Sequence, residues 1–141
     1  MSVQGIPPEG FKTVGEISAT NTFQFHLEQE GLGIAVELVS SHASGEPVVD
    51  DEGHFQGFIS EFDILRILEM DKDLRMLRAA DIMNRAQIFV TDSTPIAEAV
   101  RIMKKKHLLV LPVVKNGVVV KSITRHDLLR AWLGLGVGVE E

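Results

Sequence analysis

The sequence predicts an α/β (α+β) fold of two similar β-α-β-β-α halves, because one long stretch occurs twice. Residues 42–66 and 108–130 each contain a Pro-Val-Val strand, a glycine turn, a second strand and a helix that starts at Ser/Thr-x-x-Asp. The matched positions lie about 65 residues apart, and a repeat of this length indicates duplicated structural units. The matched residues are Pro47 with Pro112, Gly53 with Gly117, Ser60 with Thr124 and Asp63 with Asp127.

The composition indicates a folded domain and excludes several classes of function. Of 141 residues, 45% are hydrophobic and 24% are charged, which is ordinary for a globular chain. The absence of cysteine excludes disulfides, thiolate metal sites and cysteine nucleophiles, and it fits the cytoplasmic location that we predict. We predict no signal peptide, and the apolar run at 108–114 is too short for membrane insertion. A net charge of −6 argues against nucleic-acid binding.

Hydrophobic periodicity places the elements of the first half. Alternation at 22–26 predicts a strand, and the apolar spacing at 32–39 predicts a helix. Strands are predicted at 46–50 and 55–60, joined by an acidic turn in which Gly53 takes a positive φ. The apolar stripe of the following helix consists of Ile64, Leu65, Ile67 and Leu68.

The second half follows the same order. A strand is predicted at 88–91, followed by a helix that Ser93 or Thr94 caps, with Pro95 in its first turn. One face of this helix is apolar, formed by Ile96, Ala99, Val100, Ile102 and Met103.

A hairpin and a last helix complete the second half. Strands at 109–115 and 118–124 are predicted to pair across Asn116-Gly117, the strongest two-residue hairpin signal. In the last helix, we expect Leu128, Leu129 and Trp132 to face inward.

We therefore predict five segments. They are an N-terminal arm (1–12), a first repeat (13–70), a connector (71–80), a second repeat (81–133) and a flexible tail (134–141). A repeat of about sixty residues has only a marginal core, so we expect the repeats to pack on each other through apolar sheet faces.

Four motifs in this order resemble those of a known family. They are His-x-x-Gly-x-Pro-Val-Val-Asp at 42–50, Gly-Phe-Ile-Ser-x-x-Asp at 57–63, Asp-Ile-Met-Asn-Arg at 81–85 and Ser-Ile-Thr-Arg-x-Asp-Leu-Leu-Arg at 122–130. Together they are similar to a tandem cystathionine-β-synthase (CBS) domain pair, or Bateman module, over residues 13–133. The resemblance implies repeats related by a pseudo-two-fold axis, dimerisation into a flat disc, and a regulatory role in which adenine nucleotides bind in clefts between the repeats.

The two Ser/Thr-x-x-Asp motifs allow two interpretations. Each can be a capping box, in which the hydroxyl and the carboxylate satisfy backbone N–H groups at the start of a helix. Each can also be a ligand site, because a helix N-terminus attracts phosphate and a carboxylate accepts hydrogen bonds from ribose hydroxyls. The sequence leaves both interpretations open.

The resemblance implies two clefts, each combining one motif with the segment before Pro-Val-Val of the other repeat. The preferred cleft comprises Ser122, Thr124, Asp127, His42, Ala43 and Ser44, with Lys121 and Arg125 as phosphate contacts. The second cleft comprises Phe58, Ser60, Asp63, His107, Leu108 and Leu109. We prefer the first because Glu61 and the acidic turn near the second repel phosphate.

Two departures from the family pattern bear on these clefts. Lys121 stands where the first repeat has Gly57, and it either crowds the entrance or contacts phosphate. The arginine that the family often carries two residues before the proline is Gly45 in one repeat and Val110 in the other.

No catalytic residue and no metal site is predicted. The five histidines show no metal-ligand spacing, and His42 and His107 occupy equivalent positions, as residues of a cleft or a helix end. Nucleophile triads and glycine-rich phosphate loops are missing as well, so we predict that the protein is not an enzyme and requires no cofactor.

Two functional hypotheses remain, with an enzyme as a weaker third. In the first, a stand-alone homodimeric module binds AMP, ADP or ATP and signals by a conformational shift. In the second, the module binds no small molecule and is a dimerisation or docking scaffold for a separate enzyme or transporter.

Overall fold

The computed structural model of the chain describes residues 12–18 and 23–134, which form two compact units. The first unit contains residues 23–87 together with the hairpin tip at 116–119. The second unit contains 12–18, 88–115 and 120–134. Each unit combines helices with a small sheet around its own hydrophobic core, which confirms the predicted α/β class. The predicted arm and tail lie almost entirely outside the described residues, as does the start of the first predicted strand.

The first unit has the predicted β-α-β-β-α order. Its elements are β1 (Phe25–His26), α1 (Gly31–Ser41), β2 (Gly45–Val49), β3 (Phe55–Ser60), α2 (Glu61–Glu69) and a short α3 (Ala79–Ile82). Strand β2 lies in the middle of the sheet, parallel to β1 and antiparallel to β3. Gly53 takes the expected positive φ in the turn between β2 and β3.

The second unit contains α4 (Ile96–Lys106), β4 (Val110–Lys115), β5 (Val118–Thr124) from residue 120 onward, and α5 (Arg125–Trp132). The hairpin between β4 and β5 turns at Asn116 and Gly117 as predicted. Both residues have positive φ, which matches the right-handed twist of the strands. The predicted inward face of α4 is confirmed, with Ile96, Ala99 and Met103 buried.

Two predictions for the start of the second half are wrong. The segment 88–91 forms no strand and makes only a single bridge, in which Val90 pairs with Val113. Helix α4 begins after Pro95 without a side-chain cap, because the Thr94 hydroxyl instead accepts a hydrogen bond from the Thr91 N–H at 3.0 Å. The hydroxyl therefore closes the turn before the helix.

Each unit includes a segment from the start of the opposite sequence repeat. In the second unit, the Val14 N–H donates to the Thr94 carbonyl at 2.8 Å, and Val14 and Ile17 are buried in the core. In the first unit, the Asn84 N–H donates to the Phe58 carbonyl at 2.8 Å, and α3 packs in the core through Ala79. The compact units therefore follow different boundaries from the sequence repeats.

The outer helices leave apolar side chains uncovered, contrary to prediction. Leu128 is buried, but Leu129 and Trp132 of α5 are 58% and 54% exposed. In α2, Ile64 is buried while Leu65 and Leu68 are exposed. Each of these helices packs on its unit through one stripe only, so the neighbouring apolar stripe points away from the core. Among the described helices, none has the length and apolar character that crossing a bilayer requires.

Replacing Gly57 by alanine is expected to lower the free energy of unfolding by about 1–3 kcal/mol. A Cβ at this position would lie 2.6 Å from the Asn84 carbonyl oxygen and 2.8 Å from the Met83 Sδ. Urea denaturation followed by circular dichroism measures the effect. The control is Gly33→Ala in α1, where a Cβ would meet nothing within 4 Å, and which should stabilise by up to about 1 kcal/mol. Equal effects of the two substitutions would contradict this packing.

Candidate ligand-binding site

The start of α5 is a complete capping box. The Thr124 hydroxyl accepts a hydrogen bond from the Asp127 N–H at 3.0 Å, and the Thr124 N–H donates to Asp127 Oδ2 at 2.9 Å. The capping interpretation is therefore confirmed for this motif. Only one of the two Asp127 carboxylate oxygens is used in the cap, however.

Two buried polar atoms at this helix start have no hydrogen-bond partner among the described residues. They are the second oxygen of Asp127, Oδ1, and the Ser122 hydroxyl. Both side chains are 1% exposed. Ser122 and Thr124 lie two residues apart on β5, so their side chains project from the same face of the strand. A buried polar atom without a partner costs free energy, and such atoms are uncommon away from functional sites.

Two basic residues flank this helix start. Arg125 is exposed at the first position of α5, and its N–H donates to the Leu109 carbonyl at 3.1 Å. Its guanidinium adds positive charge to that of the helix N-terminus. Lys121 is half-buried, and its Nζ donates to the Ile17 carbonyl at 2.8 Å. A phosphate contact from Lys121 would therefore have to share the ammonium group with this internal hydrogen bond.

The equivalent motif in the first unit has no carboxylate oxygen left over. Asp63 Oδ2 accepts hydrogen bonds from the Ser60 N–H at 2.8 Å and from the Ser60 hydroxyl at 3.0 Å. Its other oxygen, Oδ1, forms a 3.0 Å ion pair with Arg66. The two motifs are thus alike as capping boxes and different as candidate ligand sites.

The remaining predicted site residues lie at helix ends and strand starts. His42 and His107 are the C-cap residues of α1 and α4 in the left-handed conformation, with φ of 57° each. Ser44 accepts a hydrogen bond from the Glu61 N–H at 2.9 Å, so the first unit brings it close to the start of α2. Each unit contains one half of each predicted cleft. The first unit contains Ala43 and Phe58, and the second contains Leu108 and Leu109.

The second unit also has an apolar groove that the sequence did not predict. Its volume is about 570 Å³, and it lies between α4 and α5. Its lining combines Leu108 and Leu109 with Arg125, Leu129 and Trp132. Hydrophobic periodicity assigned Leu129 and Trp132 to the core, and no other signal in the sequence marks them as groove residues.

The acidic turn of the first unit brings three possible metal ligands together. The ligand atoms of Asp50, Glu52 and His54 lie within 4.8 Å of one another. The N–H groups of His54 and Glu52 donate to the Asp50 carboxylate, and with the nearby imidazole they lower the pKa of Asp50. Because exposed acidic turns commonly form such groups without an ion, this arrangement by itself assigns no metal.

The chain belongs to the CBS domain family. The family profile matches it twice, at residues 14–70 and 79–134. A CBS domain-containing protein of Dictyostelium discoideum is 28% identical, with 82% of this chain and 88% of that protein covered. The chain also matches arabinose 5-phosphate isomerases, but it spans only 26% of the length of the Yersinia pestis enzyme.

Solved structures of CBS pairs share the fold. CBSX2 of Arabidopsis thaliana, solved in complex with AMP, superposes with a TM-score of 0.75 at 25% identity. The alignment covers 86% of this chain and 96% of CBSX2. The CBS domain pair of protein MJ0100, in complex with 5-methylthioadenosine and S-adenosyl-L-methionine, gives a TM-score of 0.73 at 25% identity, covering 84% of this chain and 93% of that one. The ligands of both proteins contain adenosine.

Substituting Thr124 by valine is expected to lower the free energy of unfolding by about 1 kcal/mol. Valine keeps the branched shape but cannot accept the hydrogen bond from the Asp127 N–H. Thr124→Ser is the control, because it loses the methyl group and keeps the acceptor. Urea denaturation of the three proteins tests the cap, and a serine variant as unstable as the valine variant would show that the methyl group matters instead.

Proposed function

We propose that this chain is a regulatory CBS-pair module that binds an adenine nucleotide at the start of α5. The observation that carries the proposal is the pair of buried atoms without partners, Asp127 Oδ1 and Ser122 Oγ, beside a helix N-terminus. A ligand could donate a hydrogen bond to Asp127 Oδ1 and accept one from the Ser122 hydroxyl. Both bonds would remove the free-energy cost of a buried polar atom without a partner.

Each side chain has a distinct role in this proposal. Asp127 Oδ1 accepts hydrogen bonds from the ribose hydroxyls while Oδ2 stays in the cap, so binding does not require α5 to unwind. The Ser122 hydroxyl donates to the sugar-phosphate. Arg125 and the helix N-terminus stabilise the phosphate charge. Thr124 keeps its capping bond and orients Asp127.

The comparisons support adenosine as the common part of the ligand. CBSX2 is solved with AMP, and MJ0100 with two adenosine-containing compounds. A basic flank at Lys121 and Arg125 favours a ligand that carries phosphate. We therefore propose AMP, ADP or ATP ahead of S-adenosylmethionine.

Several further features belong to the same proposal. His42, Ala43 and Ser44 complete the preferred site, and the Phe58, Ser60, Asp63, His107, Leu108 and Leu109 set forms a weaker second one. The module is a non-catalytic cytoplasmic homodimer, and ligand binding signals through a conformational shift that requires the ligand to prefer one arrangement. A separate enzyme or transporter reads that shift.

The scaffold function is a second candidate, and the intact caps favour it. Asp127 is almost fully buried, and the first-unit motif is satisfied internally through Arg66 and Ser60. A module whose caps serve only the fold would dock a partner protein without any small molecule.

AMP is expected to raise the melting temperature of the wild-type protein. At ten times its dissociation constant, a ligand that binds only the folded state stabilises it by about 1.4 kcal/mol. A thermal-shift series with AMP, ADP, ATP and S-adenosylmethionine measures this and ranks the ligands. Unchanged melting with all of them at millimolar concentration would refute the sensor and favour the scaffold.

Two alanine variants form a matched pair for this experiment. Asp127→Ala and Asp63→Ala each remove the acid of one capping box. Both should therefore melt at lower temperature without ligand, but only Asp127→Ala should lose the response to AMP. A response lost equally in the two variants would contradict the preference for the second unit.

A further inference from the structure

Lys121 carries a positive charge that no carboxylate neutralises within the part of the chain that the structure describes. The residue is half-buried, and its Nζ donates to the Ile17 carbonyl at 2.8 Å. It forms no ion pair with any described residue. Because a charge that is removed from water is usually paired with an opposite charge, an ammonium group held by a neutral carbonyl indicates a place for an anion.

The first repeat shows what the Lys121 side chain replaces. Its counterpart is Gly57 of β3, where a Cβ would lie 2.6 Å from the Asn84 carbonyl oxygen. Asn84 follows α3 in the chain and pairs with Phe58 through two backbone hydrogen bonds of 2.9 and 2.8 Å. In the first unit, the segment after α3 therefore lies directly against β3, at a point where a side chain would collide with it.

In the second unit, the corresponding segment meets a lysine instead of a glycine. Ile17 corresponds to Ile82 at the end of α3. Ser122 corresponds to Phe58, the residue that pairs with the segment in the first unit. The Nζ of Lys121 reaches the Ile17 carbonyl, so this side chain links the segment to the strand that carries Ser122 and the candidate site.

Residues 12–17, which we call the docked segment, are held on the rest of the second unit mainly by neutral groups. The side chains of Val14 and Ile17 are buried in the core. Backbone hydrogen bonds join the Val14 N–H to the Thr94 carbonyl at 2.8 Å, the Gly15 N–H to the Asp92 carbonyl at 2.9 Å and the Ile96 N–H to the Lys12 carbonyl at 3.0 Å. Within the described residues, the Lys121 ammonium is the one charged donor in these links, so it is the link that an anionic ligand can strengthen.

We propose that the Lys121 ammonium joins the phosphate of the bound nucleotide to the Ile17 carbonyl, so that binding stabilises the docked segment. An ammonium group has three N–H donors, and the bond to Ile17 uses one of them. A phosphate beside Ser122 and Arg125 therefore gains a charge-assisted hydrogen bond without displacing the carbonyl. This bridge rests on the proposed function and adds a route by which the ligand acts on the fold.

Two properties distinguish the bridge from an ordinary phosphate contact. Coupling between two events is reciprocal, so a ligand that binds more tightly when the segment is docked also stabilises the docked segment. The coupling also requires the phosphate, because adenosine carries no anionic group for Lys121 to bind. AMP and adenosine therefore form a matched pair of ligands.

Amide hydrogen exchange of the wild type without ligand, with adenosine and with AMP tests the proposal. The reporting amides are Val14, Gly15 and Ile17, whose N–H groups are hydrogen-bonded within the second unit. We expect saturating AMP to slow their exchange about tenfold or more relative to saturating adenosine, because a charge-assisted hydrogen bond is added to the segment. Equal exchange with the two ligands would overturn the proposal.

Lys121→Met removes the ammonium and keeps an unbranched side chain. Exchange of the three amides should become faster without ligand, and AMP should no longer slow it beyond adenosine. The affinity for AMP should fall about tenfold while the affinity for adenosine stays unchanged, a split that general destabilisation of the fold would not produce. AMP that protects the docked segment in this variant as well as in the wild type would contradict the bridge.

Two further measurements complete the experiment. Lys105→Met removes an exposed lysine of α4 and should behave as the wild type in exchange and in affinity. The comparison of AMP with adenosine uses the wild type alone, so it decides the question even where Lys121→Met fails to fold.

The melting temperature of the wild type separates the bridge from the nucleotide site. AMP that raises the melting temperature and leaves the docked segment no better protected than adenosine does would refute the bridge and leave the site intact. A melting temperature that AMP, ADP and ATP all leave unmoved would refute the site, and the bridge with it. Raised melting together with AMP-specific protection of residues 14–17 supports both.

Discussion

Two small cores, each completed by a segment from the start of the opposite repeat, are the constraint on which this fold depends. A repeat of about sixty residues has only a marginal core by itself. Val14 and Ile17 fill the core that also contains Ile123 and Leu128, and Ala79 fills the core that contains Val48. Each core is therefore complete only when part of the opposite repeat packs into it. The two repeats depend on each other for their cores.

The duplicated helix starts show how one local structure supports two chemistries. In both units a hydroxyl and an aspartate close a capping box, which the hydrogen-bonding needs of a helix N-terminus require. Arg66 then pairs with the free oxygen of Asp63. Arg130 stands at the equivalent position in the second unit, yet Asp127 Oδ1 has no hydrogen-bond partner among the described residues. Cap formation is thus common to both repeats, whereas the spare acceptor occurs in only one.

Local signals in the sequence predicted the parts of the fold that depend on neighbouring residues. Asn116-Gly117 determines its own turn through positive φ, and Ser60 and Thr124 find their partners three residues away. Thr94 is an exception, because its hydroxyl closes the preceding turn instead of capping α4. Contacts between distant positions leave no local signal. The Lys121 ammonium meets a carbonyl 104 positions earlier, and no periodicity reports such a contact. Leu129 and Trp132 follow helical apolar spacing, but spacing cannot distinguish a core stripe from an adjacent stripe that faces outward.

Charge distinguishes the two repeats more clearly than apolar spacing does. Core positions of a duplicated fold must stay apolar, because a polar substitution there costs stability, so the two cores resemble each other. Exposed helix positions carry no such restriction, and a change of sign from Glu61 to Arg125 leaves the helix and its cap intact. Divergence between repeats can therefore accumulate on the outer helices at little cost to the fold. The outer helices of the two units thus differ in charge while the capping boxes at their starts stay alike.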